Sequence, residues 1–165
     1  MFQNILVAID GSPDSAQALA QAIDLASTQH ARLTIFSAEV GPPATAYMGG
    51  GAGVAAVIAA EAAAETEKLL KAAVQQVPAE VSVSTVQGGE PVRVTLLHQL
   101  EAGHHDLLVM GSRGRGPVRS ALLGSVSHHL LHHSPVPLLI VHDVERPDGG
   151  PPQPADDPGR PVSGA

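Results

Sequence analysis

Five short apolar runs, each closed by glycine, proline or a polar turn, alternate along the chain with longer segments whose apolar residues recur at helical spacing. The first, residues 5–9, is an unbroken aliphatic stretch with no polar face, so it predicts a strand buried on both sides. Asp10, Gly11, Ser12 and Pro13 end it in a turn, with Ser12 placed to cap a helix that has Pro13 at its first position. Ala16, Leu19, Ala20, Ile23 and Ala26 then predict the buried stripe of that helix. Residues 33–36 form the second strand. Residues 54–77 lack Gly and Pro, are rich in Ala, Glu, Leu and Lys, and stop before Pro78, which predicts the longest helix.

Val81, Val83, Thr85 and Val86 predict a third strand, closed by Gly88 and Gly89. Pro91 opens a helix that turns Val92, Leu96, Leu97 and Leu100 toward the core. Residues 107–110 are the fourth strand and run directly into Gly111; a helix over residues 125–133 follows, and Pro135 and Pro137 precede the fifth strand, Leu138–Val141. Strict alternation of strand and helix, with continuous apolar strands, predicts one doubly wound α/β domain with a parallel sheet covered by helices on both faces.

Two segments leave this pattern. Residues 41–53 contain Pro42, Pro43 and Gly49, Gly50 and Gly51, and predict a mobile loop. Residues 143–165 are dominated by Pro, Gly and acidic side chains, which cannot offset their ordering entropy by burial; the folded domain is expected over residues 1–142, with a disordered tail after it.

A chain of 165 residues is long enough for one core, and with 44% hydrophobic but only 2% aromatic residues that core must be aliphatic. Sixteen acidic against nine basic residues give a net charge of −7, which argues against a nucleic-acid partner. The absence of cysteine excludes disulfides, zinc–thiolate sites and thiol nucleophiles. The N-terminal apolar run is too short for a signal peptide, and Glu61 and Glu65 interrupt the Ala-rich stretch at 54–64, so no membrane partner is expected and the chain reads as a cytoplasmic protein.

The candidate chemistry lies at residues 111–127, beginning at the C-terminal end of a strand, where α/β sheets place their ligands. Gly111, Gly114 and Gly124 allow close backbone approach, successive amides can form an anion nest, and the helix start at Gly124, Ser125 and Val126 adds unsatisfied N–H groups and the positive end of a dipole. Arg113, Arg115 and Arg119 put three of the nine basic residues beside those glycines. The competing reading is a tight turn with a solvated basic loop.

The order Gly111, two residues, Gly114, nine residues, Gly124, Ser125 resembles the nucleotide-binding signature of the universal stress protein family. ILVAIDGSPDS at 5–15, DLLVMGSRGRG at 106–116 and GSVSHHLLHHSPVPLLIV at 124–141 extend the likeness over most of the chain. The resemblance implies a five-stranded parallel sheet in the order 3-2-1-4-5, of the adenine nucleotide alpha hydrolase-like kind, with ATP and Mg²⁺ across strands one and four. It places Ala8, Ile9 and Asp10 beneath the nucleotide, with Asp10 at the ribose or a phosphate-bound metal, Ser12 in the adjoining turn and the backbone of Ala38 at adenine. Met110 and Gly111 would flank the sugar, Arg113 and Gly114 the phosphates, and Gly124, Ser125, Val126 and Ser127 the triphosphate through amides and hydroxyls. The same resemblance implies a homodimer joined along Leu138–Val141 and a regulatory switch, not an enzyme; a slow ATPase or phosphotransferase, or a nucleotide-free interaction module, are the alternatives.

Other motifs add little. There is no P-loop signature and no Gly-x-Gly-x-x-Gly after the first strand. His128 with His132, and His129 with His133, sit at the i, i+4 spacing that lets two imidazoles share a metal, but further ligands are not evident and interaction with the helix C-terminus is the preferred reading. His104 and His105 are expected in a solvated turn. No combination of residues identifies a nucleophile with its base and orienter.

Overall fold

Because residues 5–9 are apolar without interruption, both faces of their strand need cover, and the structure supplies a helical layer on each. The computed structural model describes residues 1–39, 41, 51–114 and 123–142. The strands are β1 (Asn4–Ala8), β2 (Arg32–Ala38), β3 (Val83–Gly88), β4 (Leu107–Gly111) and β5 (Leu138–Val141), and the helices are α1 (Pro13–Gln29), α2 (Gly51–Val74), α3 (Val92–Ala102) and α4 (Ser125–His133). All neighbouring strands pair in parallel, in the order β3-β2-β1-β4-β5.

Strand periodicity divides the core in two. Ile5 and Val7 join Leu33, Ile35, Leu107 and Val109 under α1 and α2, where Ala18, Leu19, Ala22, Ala26, Leu70 and Ala73 meet them. Leu6, Phe36, Leu108 and Met110 face the other way, toward Leu96 and Leu100 of α3 and Leu130 of α4. The buried stripe of α1 runs through Ala18, Ala22 and Ala26, while Ala16 and Ala20 from the expected stripe are exposed. Alanines at i, i+4 spacing let α1 lie close on the sheet, which compensates for a core with few aromatic rings.

Two expected boundaries shift. α2 starts at Gly51, inside the segment expected to be a loop, and its regular turns end at Val74. Val77 N–H then donates to the Val74 carbonyl at 3.0 Å, a tightened last turn. A glycine at 51 or 53 costs helix propensity but does not forbid the helix when an apolar face follows. Residues 42–50, Arg115, Arg119 and the tail at 143–165 lie outside the described residues.

Chain direction makes this order functional. From β1 the chain passes through α1 to β2 on one side, and from β4 through α4 to β5 on the other, with α1 and α4 on opposite faces. The connections therefore diverge above β1 and β4 and leave a crevice at their C-terminal ends. No helix among the described residues is long and apolar enough to cross a membrane.

Candidate functional site

Three segments meet at this crevice. The first is the β1–α1 turn. Gly11 adopts φ 81, a conformation L side chains rarely take, and the turn is tied by Asp10, whose Oδ1 accepts from the Ser12 amide at 3.0 Å and the Ser12 hydroxyl at 2.6 Å. Ser12 Oγ also accepts from Ser15 N–H as the cap of α1, so this hydroxyl is committed to the turn and its helix.

The second segment is Gly111 to Gly114, and its neighbours explain two glycines. A Cβ on Gly111 would lie 2.8 Å from the Asp14 Cβ and 2.9 Å from the Ser15 backbone nitrogen, so this glycine seats the end of β4 against the first turn of α1. A Cβ on Gly114 would lie 2.6 Å from Asp10 Oδ2, which brings the loop directly over that carboxylate. Ser112 N–H donates to the Val141 carbonyl at 2.8 Å, and Arg113 N–H to Asp14 Oδ2 at 3.0 Å. These two amides serve the fold, which narrows the anion nest expected from the loop.

The third segment is the start of α4. Gly124 N–H donates to the Ser112 carbonyl at 2.8 Å, docking this helix end on the loop. Gly124 occupies the cap position without a side-chain hydrogen bond, and helix geometry leaves the Ser125, Val126 and Ser127 amides without intrahelical acceptors. Its φ of −67 and ψ of 162 suit any residue. A Cβ there would point at Ser112 O, Arg113 Cα and Gly114 N from 3.6 to 3.8 Å, ordinary contact distances. Among the described residues, nothing requires glycine at 124. Ser127 is buried and its hydroxyl donates to the Gly111 carbonyl at 3.0 Å, whereas Ser125 is exposed.

Ala8 pairs with Met110 across the β1–β4 seam, and Ile9 N–H donates to the Phe36 carbonyl at 2.9 Å. Ala38, at the end of β2, pairs with Gly88 on β3 and stands on the opposite side of β1 from β4. The sequence-predicted residues thus gather around one crevice mouth, with Ala38 at its flank. Arg113 carries its guanidinium to Asp14, Nε to Oδ2 at 3.6 Å, and remains partly exposed. Sequence reasoning missed Asp14, Ser112 and His142: Ser112 is fully buried, its hydroxyl lies 2.5 Å from Asp14 Oδ2 and 2.7 Å from His142 Nδ1. The available signal was a serine between a strand end and Arg113.

The histidines resolve differently from one another. His129 and His133 stack with ring centroids 4.1 Å apart, and His128 meets His132 edge-on at 5.1 Å. Desolvation, followed by the charges of His133 and Arg93, lowers the pKa of His129 from the usual histidine value. Among the described residues no group of three or more His, Asp or Glu is placed to hold a metal ion. His105 corrects the expectation of a solvated turn: it is buried, and desolvation holds its pKa down against the opposing pull of the Asn4 backbone and the Asp106 charge. Gly103 leaves room for its ring, since a Cβ there would lie 2.3 Å from Nε2.

Comparison with known proteins agrees with this architecture. The family model described as universal stress protein family matches residues 1–142. Universal stress protein YxiE of Bacillus subtilis is 39% identical over 153 residues, covering 86% of this chain and 99% of that protein. Among solved structures, a universal stress protein in complex with cAMP is 26% identical, with a TM-score of 0.56 over 86% of this chain and 97% of that one. The universal stress protein from Archaeoglobus fulgidus in complex with dAMP is 14% identical, with a TM-score of 0.56 over 84% of this chain and 97% of that one, a likeness of fold.

Proposed function

The chain belongs to the universal stress protein family, and we propose that it is an ATP-binding member that acts as a nucleotide-gated regulator. The observation that carries this reading is Gly124. Neither its backbone angles nor its neighbours among the described residues call for glycine, yet it keeps side-chain atoms out of the space between Gly114 and the first three amides of α4. Phosphate oxygens are the natural occupants of such a helix start. The cAMP and dAMP complexes of the two similar structures support an adenine nucleotide as the ligand class.

In this reading Ser125, Val126 and Ser127 donate backbone N–H groups to the phosphates, joined by Gly114 N–H and the Arg113 guanidinium. Ala8, Ile9, Asp10, Met110 and Gly111 line the sugar side, with the Ser12 turn holding Asp10, and the Ala38 backbone meets adenine. The Asp10 carboxylate, with Oδ1 held by Ser12 and Oδ2 turned to Gly114, suits a Mg²⁺ ion bound chiefly by phosphate oxygens and water. Mg²⁺ would neutralise phosphate charge beside that carboxylate. β5 ends the sheet and its residues are half-buried, so a second copy joining along Leu138–Val141 would cover an aliphatic edge. Sedimentation at several concentrations tests that homodimer, and a monomer throughout rejects it.

Isothermal titration with Mg-ATP tests the nucleotide reading. Wild type should bind saturably and release intact ATP, whereas Gly124→Val, which fills the phosphate space, should bind none while melting near wild type. Absence of binding by wild type favours the nucleotide-free interaction module, and turnover above about one per second favours an enzyme.

A further inference from the structure

We propose that Asp14 is a positioning residue for the nucleotide site, one that clamps the Ser112–Arg113 corner between α1 and the end of β5; the inference rests on the nucleotide reading above. An acidic residue in the first turn of a helix ordinarily interacts with the dipole from solvent. Asp14 is instead buried, and a buried carboxylate is tolerated only when several donors converge on it. Its Oδ2 receives the Ser112 hydroxyl at 2.5 Å and the Arg113 amide at 3.0 Å, and pairs with Arg113 Nε at 3.6 Å. Ser112 has one hydroxyl proton, and Asp14 takes it. The serine oxygen therefore accepts from His142 Nδ1–H at 2.7 Å, which ties the residue after β5 into the same corner.

The packing of Gly111 brings Asp14 within reach of this corner. A Cβ on Gly111 would collide with the Asp14 Cβ and backbone and the Ser15 nitrogen, so the strand end lies directly against the first turn of α1. The consequences spread to both sides of the crevice. With Arg113 N–H turned toward α1, the Arg113 carbonyl faces Ser12 Oγ at 3.4 Å and Gly114 rests on Asp10. With Ser112 held, its carbonyl receives Gly124 N–H, so the Asp14 clamp also sets where α4 begins relative to β1. Asp14 touches the corner and acts on phosphate through it.

The test uses the full chain with Asp14→Ala, Asp14→Asn and Ser112→Ala, reading the Kd for Mg-ATP and hydrogen exchange at the Arg113 amide. Loss of charge-assisted bonds in Asp14→Ala should weaken binding at least about tenfold and speed Arg113 exchange by a similar factor. Asp14→Asn keeps an acceptor oxygen while removing a negative charge near the phosphates, so it should bind at least as tightly as wild type with Arg113 still protected. Wild-type affinity in a folded Asp14→Ala protein, or an Asn variant as weak as Ala, overturns the proposal. Should Asp14→Ala fail to fold, Ser112→Ala decides: it should weaken binding and speed exchange to a lesser extent, and wild-type values for both overturn the clamp. Failure of wild type to bind nucleotide rejects the ligand reading instead, and unchanged Arg113 exchange in the variants rejects the clamp regardless of ligand.

Discussion

Replacing Gly111 and Gly124 separately by alanine should have opposite effects, although both belong to one sequence signature. At 111 the new methyl group would sit 2.8 to 2.9 Å from the Cβ and backbone of Asp14 and the nitrogen of Ser15. None of these is a flexible side-chain tip, so β4 and α1 must separate. Overpacking of this kind costs about 1–3 kcal/mol, which lowers Tm by roughly 2–4 °C per kcal/mol for a chain of this size. At 124 the methyl group has contacts of 3.6 to 3.8 Å and an ordinary backbone conformation. Two small terms then oppose each other: reduced freedom of the unfolded chain contributes about 0.4–1 kcal/mol of stability, and loss of a favourable cap residue costs about as much. Urea unfolding followed by circular dichroism should therefore show Gly111→Ala clearly destabilised and Gly124→Ala close to wild type. Titration with Mg-ATP should show weakened binding in Gly124→Ala. Equal destabilisation of the two variants, or a Gly111→Ala protein as stable as wild type, would refute the separation of roles.

His105 predicts a pH dependence of stability: its pKa is depressed in the fold, so below about 6.5 the unfolded chain binds the proton first and stability is lost as the pH is lowered. The urea midpoint should drop from pH 7.5 to pH 5.5 in wild type and less steeply in His105→Leu; identical slopes would remove His105 as the cause. Ser12→Ala deletes both the α1 cap and a bond to Asp10, and should cost about 0.5–2 kcal/mol in urea unfolding while also weakening Mg-ATP binding. Arg113→Ala should weaken binding and flatten its dependence on KCl, because a partly exposed guanidinium acts on phosphate through a screened field; an unchanged salt slope would discard that role.

The sheet was legible wherever burial on both faces left no polar position, as at Ile5, Leu6 and Val7 or Leu107 to Met110, and α4 was legible because Gly124 and the prolines after it bound it sharply. Strand order came from resemblance to a family, since apolar runs alone do not rank strands. The crevice residues were legible through their glycine spacing, but the division of labour among the glycines was not. Gly111 faces Asp14, a residue 97 positions earlier, and no local pattern announces that contact. The same distance hid the bonds that occupy the Ser112 and Arg113 amides. His105 misled because a turn rich in histidine reads as solvated, whereas Gly103 gives its ring space to fold inward. The start of α2 was set too late because Gly51 and Gly53 read as loop residues, and packing of the helix outweighed their propensity.

A titration of isotopically labelled protein with Mg-ATP, followed through backbone amide resonances, tests the phosphate cradle most directly. The account predicts large saturable shifts at Gly114, Ser125, Val126 and Ser127, with Ser112 retaining its bond to Val141. Saturable shifts confined to the opposite sheet end, around Asn4, His105 and Asp106, would contradict it, as would a spectrum unchanged at millimolar nucleotide.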